Sequence, residues 1–375
     1  MALILNEEQR MLEDAARDFL QSRAPVSHLR ELRDGDECHG YSKKLWQDLA
    51  DMGWPATLVP EEHGGIGYGY TGIGIILQQC GRTLTPSPLL SSALIGVTAL
   101  LKGGSDSQRE TMLPAIAAGE QIMALAVDDS AHHNPDNCQA VAEMENGQYL
   151  LSGRKVAVID GHIADTLIVS ARTDDGGTTS LFLVAADAEG VTVTNTAALD
   201  THRLANIQFD KVQLEDSALL GELNNGGALL DTILDAARIG QSAELLGIAE
   251  EAFERTIDYL QQRKQFGVLI GSFQALQHRA AEMFTEIELC KSAVLNALQA
   301  LDEGRGNVGE IASMTKAKLC ETAHRVTTEA VQMHGGIGMT DEFDIGFFLK
   351  RSQILEALLG DYSYHVDRFA RLRGY

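Results

Sequence analysis

Two short stretches of this chain carry side chains whose types and spacing suit a flat, phosphorylated ligand. The first is Arg263-Lys-Gln-Phe266-Gly267-Val-Leu-Ile-Gly-Ser-Phe-Gln274. It sets a cation, an aromatic ring, a turn glycine and an amide between two long apolar-periodic runs. A guanidinium at a helix end can grip a phosphate through two parallel hydrogen bonds. A phenylalanine three residues further on can pack against a heterocycle. The second stretch, Gln332-Met-His-Gly335-Gly336-Ile-Gly338-Met-Thr, adds another amide and a glycine-rich turn. Read together, they form a cradle for a nucleotide cofactor. Read singly, Arg263 fits a surface cation, Phe266 a core ring and Gly335-Gly336 a helix C-cap, so the combination carries the reading.

The elements that must position these residues follow from the hydrophobic period. Residues 1–121 read as helical, with Asn6 capping a helix that places Met11, Leu12, Ala15, Phe19 and Leu20 at helical spacing. Over 122–222 the period falls to two. Ala140–Met144 and Tyr149–Ser152 flank Glu145-Asn146-Gly147-Gln148, and Asn-Gly is a strong hairpin signal. Leu167–Val169, Leu181–Val184, Val191–Val193 and Ile207–Leu214 follow without helices between them, which predicts an antiparallel barrel or sandwich. From 223 to 375 the helical period returns. Leu246, Ala249, Phe253, Ile257 and Leu260 mark one helix, and a second of about thirty residues starts near Leu276. A third passes through Ile311 and Met314, and the last holds Ile354, Leu355, Leu358 and Leu359. The expected architecture is α+β in three domains: helical, β-barrel, then a four-helix bundle.

Other chemistries lack their residues. The eleven histidines never pair at helical ligand spacing, and His132-His133 stands in a polar loop without cysteines, so no metal site is expected. There is no Gly-x-Ser-x-Gly elbow and no Gly-x-Gly-x-x-Gly after a strand. His63-Gly64-Gly65-Ile-Gly67-Tyr-Gly69 reads as a turn, because no strand precedes it and no Gly-Lys-Ser/Thr closes it. A net charge of −23 argues against nucleic acid and anionic membranes as partners. No apolar run approaches the length of a membrane span, and the N-terminus does not read as a signal peptide. Five scattered cysteines (Cys38, Cys80, Cys138, Cys290, Cys320) read as reduced thiols of a cytoplasmic protein.

The run Arg-Lys-Gln-Phe-Gly, then Ile-Gly-Ser-Phe-Gln, then Gln-Met-His-Gly-Gly-Ile-Gly-Met-Thr resembles the C-terminal domain of acyl-CoA dehydrogenases. Thr57-Leu-Val-Pro-Glu-Glu-His-Gly-Gly-Ile-Gly resembles that family's early loop, and the α–β–α order matches its three domains. The resemblance implies FAD lying across a subunit interface and an acyl-CoA substrate. It also implies a homo- or hetero-tetramer with a homologue, and reoxidation by an electron-transferring flavoprotein. Carried over by motif, Arg263, Phe266, Gln274, Gln332, Gly335 and Gly336 would contact the adenosine half of FAD held mainly by a neighbour. Arg238 would lie beneath the acyl-CoA thioester, with Asp235 nearby.

Three departures from the family pattern fall on one side of the chemistry. Where the family reads Thr-Glu-Pro-Gly-Ala-Gly-Ser-Asp to hold the flavin ring, this chain has Asp128-Asp129-Ser130-Ala-His-His-Asn-Pro-Asp136. Ala157-Val158-Ile159 replaces a Trp-Ile-Thr strand. Leu359 stands where a glutamate takes the substrate's α-proton, and Ala237 occupies the alternative base position. Glu356 and Asp361 are the nearest carboxylates, and Asp361 is the candidate base. The resemblance therefore points to the base-deficient subunit type found in α₂β₂ members, including some that act on steroid-derived acyl-CoA. Two other readings stay open: a self-sufficient homo-oligomeric flavoenzyme with another base, and a flavin-free scaffold.

Overall fold

The computed structural model describes residues 3–35, 40–173 and 178–375, so Cys38 lies outside the described residues. Six helices come first: α1 (Glu7–Arg23), α2 (Val26–Asp34), α3 (Lys43–Asp51), α4 (Gly69–Thr83), α5 (Val97–Gly103) and α6 (Asp106–Ala117). Asn6 caps α1 as expected, its side chain accepting from Gln9 N while the Gln9 side chain returns to the Asn6 backbone. The glycine-rich run before α4 is a turn: Gly64 closes it at φ 81°, and a Cβ on Gly65 would sit 1.9 Å from the Val59 carbonyl oxygen.

Eight strands follow: β1 (Met123–Ala126), β2 (Val141–Glu145), β3 (Gln148–Ile159), β4 (Thr166–Arg172), β5 (Thr179–Ala185), β6 (Val191–Ala197), β7 (Arg203–Leu214) and β8 (Leu219–Leu220). The β2–β3 hairpin turns on Asn146 and Gly147, both at positive φ, with Glu145 opposite Gln148. The sheet differs from the expected antiparallel barrel. Its order is β6-β7-β3-β2-β4-β5-β8, with β1 beside β4, and among the described residues it does not close into a ring. The β1–β4 and β2–β4 pairs are parallel. β1 arrives from the helical region and inserts against a strand forty residues later, so the sheet is mixed rather than a chain of hairpins.

The C-terminal part is α7 (Gly226–Gln262), a small hairpin of β9 (Lys264–Gln265) and β10 (Val268–Leu269), α8 (Gln274–Asp302), α9 (Val308–His334), α10 (Ile345–Ala357) and α11 (Tyr362–Leu372). It thus holds one helix more than the expected four. Helix α7, with 37 residues, is the axis of the molecule. It packs against α4 so closely that a Cβ on Gly247 would lie 1.8 Å from the Gln78 carbonyl oxygen, and one on Gly81 2.1 Å from that of Glu244. Only hydrogen at both positions lets the backbones meet. One continuous apolar core joins the helices on both sides of the sheet, from Ala16 and Leu20 through Leu89 and Ile239 to Phe348. A second lies within the sheet around Leu151, Phe182 and Phe209. No helix of the described residues is long and apolar enough to cross a membrane.

Candidate active site

The residues expected to cradle a nucleotide lie at one end of α7. Arg263 follows the helix directly, and its amide still donates to the Tyr259 carbonyl oxygen. The chain reverses at Phe266 and Gly267, at φ 55° and 83°, between β9 and β10. The conformation holds Phe266 out with 91% of its surface exposed, its ring 6.3 Å from that of Phe273. Gln274 opens α8. Tyr259, one turn before Arg263, stacks on His334 at 4.4 Å, and His334 is the last residue of α9 before Gly335-Gly336. The two sequence stretches are therefore brought to the same end of the bundle. Arg263, Phe266, Gln274, Gln332, Gly335 and Gly336 are all exposed, and a Cβ on either glycine would meet nothing within 4 Å. This open surface fits a ligand, or a partner bearing one, laid against it.

The second site lies where α7, the loop after β1 and the turn after α10 meet. Arg238 is fully buried there. Its Nη1 donates to Asp235 Oδ1 at 3.0 Å, its Nε to the Leu359 carbonyl oxygen at 3.3 Å, and its Nη2 to the Tyr364 hydroxyl at 3.1 Å. Nη2 also lies 3.1 Å from His133 Nε2. A guanidinium only donates, so Nε2 accepts; the Nδ1 proton then goes to Asp128 Oδ2 at 2.9 Å. Asp235 serves two cations, because Arg368 Nη1 lies 2.9 Å from its Oδ1. Sequence reasoning placed Arg238 and Asp235 together correctly but left His133 as an ordinary loop histidine. Its side chain is 3% exposed, and no local pattern links it to an arginine 105 residues away.

The turn after α10 is clamped from three sides. The helix stops at Ala357, Leu359 adopts φ 61°, and Gly360 adopts φ 101°. The expectation of a helix running through Leu359 is corrected here, since these dihedrals cannot continue it. Lys316 Nζ donates to the Leu355 and Gly360 carbonyl oxygens at 2.8 and 3.2 Å, and its burial pushes its pKa down. His365 Nε2 lies 3.1 Å from the Leu359 oxygen already bound by Arg238. Asp361, the candidate base, is exposed and caps α11, its carboxylate accepting from Tyr364 N at 2.8 Å. Glu356 pairs with His324 at 3.3 Å.

His365 makes this turn sensitive to acid. Burial, with Lys316 and Arg238 nearby, pushes its pKa down to about 2. The unfolded imidazole takes a proton near pH 6.5, a value of roughly 6.5 being usual for histidine. Its contribution to stability is therefore whole above that pH and is lost as pH falls from there toward the folded value. In His365→Asn, the slope of unfolding free energy against pH below neutrality should flatten by up to about 1.4 kcal/mol per pH unit. Urea titrations at a series of pH values measure it, and parallel slopes for the two proteins would contradict it.

Between this turn and the sheet lies a cavity of about 20 Å³, whose lining includes Ser91, Leu125, Asp128, Ala157, Leu358 and Leu359. That is room for about one water. Ala157 and Ile159, expected from the sequence to stand where the family has a tryptophan and a threonine, lie on the β3 side, with Ala157 at φ 53°. The residues at this position do not fit a flavin ring: the space has room for about one water, Ser91 and Asp128 are the only polar side chains in its lining, and the neighbouring loop is folded inward at His133. Lys155, fully buried, pins the base of that loop by donating to Val127 O at 2.7 Å and Asp129 Oδ2 at 3.2 Å.

Comparison with known proteins gives the family. The family models for the N-terminal, middle and C-terminal domains of acyl-CoA dehydrogenases match residues 6–120, 128–212 and 224–372. The chain belongs to the acyl-CoA dehydrogenase family. It is 30% identical to the 3-(aryl)acrylate reductase of Clostridium sporogenes, with 92% of each chain covered. It is 28% identical to the caffeyl-CoA reductase-Etf complex subunit CarC of Acetobacterium woodii, again over 92% of each. Among solved structures it resembles a variant of the Tcur3481-Tcur3483 steroid ACAD, at 29% identity, a TM-score of 0.89 and 98% coverage of both chains. Acyl-CoA dehydrogenases are flavoproteins. Among the described residues no cluster of metal-ligating side chains occurs.

Proposed function

We propose that this chain is the base-deficient member of a mixed acyl-CoA dehydrogenase assembly. It lends Arg263, Phe266, Gln274, Gln332, Gly335 and Gly336 to FAD seated mainly in a homologous partner, and the partner supplies the carboxylate that removes the substrate's α-proton. The observation that carries the reading is Leu359 itself, which stands beside a cavity of about 20 Å³ where the resemblance expects a carboxylate. A leucine cannot accept a proton, and a positioned base is worth about 10²–10⁴-fold in rate. The exposed, backbone-fixed Phe266 supports the other half, because a large apolar side chain held in water on a rigid hairpin suits an interface. The reaction proposed for the assembly is α,β-dehydrogenation of an acyl-CoA. The reading also takes the assembly to be a cytoplasmic tetramer, with the domains meeting near residues 121 and 222. It takes an electron-transferring flavoprotein as the electron acceptor, as the Etf-complex relative suggests.

Arg263→Ala tests the cradle directly. The side chain is exposed, so the chain should fold unchanged, while the mixed assembly should bind FAD roughly tenfold or more weakly, as for loss of an interface arginine. Flavin fluorescence titration of the apo-assembly gives the dissociation constant. An unchanged constant would remove Arg263 from the site.

A further inference from the structure

We infer that a cavity between α1, α4 and α7 binds a small neutral ligand ending in an amide edge, a carbonyl beside an N–H as in a carboxamide or lactam. The cavity holds about 170 Å³, and its lining includes Arg17 of α1, Gln79 and Arg82 of α4, and Glu251 and Arg255 of α7. None of these residues belongs to the FAD cradle or to the clamped turn, so the site stands apart from both.

The ligand class follows from the groups left without partners. Gln79 is 1% exposed, yet neither its side-chain oxygen nor its side-chain nitrogen makes a hydrogen bond. Arg82 follows three residues later on the same face of α4, and its buried Nε is also unpartnered. Buried polar groups are normally paired, because leaving them unpaired is costly. The set is an amide with a donor and an acceptor side by side, and one further guanidinium donor. A ligand carbonyl oxygen has two lone pairs, enough for one hydrogen from Gln79 Nε2 and one from Arg82 Nε. An adjacent ligand N–H supplies Gln79 Oε1. One amide edge therefore answers all three groups.

Charge decides against an oxyanion. Arg17 pairs with Glu13 and Asp14, Arg82 with Glu250, Glu251 and Glu254, and Arg255 with Glu251 and Asp344. The carboxylates outnumber the guanidiniums, so a carboxylate or phosphate would enter an acidic surround. A ligand with a single flat ring suits the volume, and Val26 supplies a buried apolar wall.

The test is calorimetric titration of the full chain with nicotinamide, and with nicotinate as the same ring carrying a carboxylate. Nicotinamide should bind saturably with a Kd of about 1 mM or tighter, which its size allows. Nicotinate should bind at least tenfold more weakly. Gln79→Leu, which removes both unpaired amide atoms, should unfold at a urea concentration no lower than wild type and weaken nicotinamide at least tenfold. Arg82→Lys keeps a cation among the three glutamates but lacks the Nε donor, and it should weaken nicotinamide as well; it decides the matter if Gln79→Leu does not fold. No saturable binding of nicotinamide would mean that water alone fills the cavity and would overturn the site. Equal affinity for nicotinate, or unchanged affinity in a folded variant, would overturn it too.

Discussion

Asp235→Ala is expected to destabilise the chain by about 3–5 kcal/mol, the usual cost of leaving a buried charge without its partner. Asp235 is 7% exposed and faces two guanidiniums, Arg238 Nη1 at 3.0 Å and Arg368 Nη1 at 2.9 Å. Arg368 has other partners in the Gly309 carbonyl, the Ser313 hydroxyl and, at 3.8 Å, the Asp231 carboxylate, so the stranded charge is mainly that of Arg238. Arg238 would retain only neutral partners. Removing Asp235 therefore loosens α7 from α9 and α11 at the point where the clamped turn is held. Asp235→Asn, which keeps the shape and one acceptor, should lose less than the alanine variant. Urea unfolding of the three proteins measures the order, and a loss below about 1 kcal/mol for alanine would contradict it.

Arg351→Met is expected to cost a similar 3–5 kcal/mol at neutral pH, and the deficit should shrink in acid. Arg351 joins α10 to α7 through Glu244, at 2.8 Å, and to the sheet region through Asp200, at 2.9 Å. Both carboxylates are buried. Burial alone would push the Asp200 carboxyl up, but the neighbouring His202 and Arg351 outweigh it and hold it below the usual carboxylate range. A carboxyl held down in this way contributes stability that is present above its unfolded value, near 3.9 for a usual aspartate, and is lost as pH falls toward the folded one. Without Arg351, Glu244 loses its ion partner and Asp200 keeps only His202, so protonation of Asp200 in acid relieves part of the loss. The gap between wild type and variant should thus be widest near neutrality and narrow as pH falls. A gap independent of pH would assign the loss to packing of the long side chain instead.

The order of elements was legible because helices and strands here bury apolar stripes at their own periods. Asn146-Gly147 marked a hairpin that forms with the expected register. Helix α11 was missed: the residues it buries are His365 and Arg368, so its inward face is polar and does not mark a core helix. The parallel place of β1 was hidden because its partner β4 lies far along the chain, and pairing at that distance leaves no local signature. At the site, Arg263, Phe266, Gly335 and Gly336 stood out by type and spacing, and the absent glutamate and tryptophan were visible as substitutions. What replaced them was not visible. The lining of the small cavity beside Leu359 draws on a helix, two strands and a turn. The His133–Arg238 contact depends on a loop folding back across the domain boundary.

The most direct measurement is the visible absorption spectrum and native mass of the chain purified alone and then with a glutamate-bearing homologue. Expected is a colourless chain on its own, and a mixed tetramer in which flavin accompanies only the partner subunits. A yellow tetramer of this chain alone, with flavin in every subunit, would contradict the closed site at Leu359 and the base-deficient assignment with it.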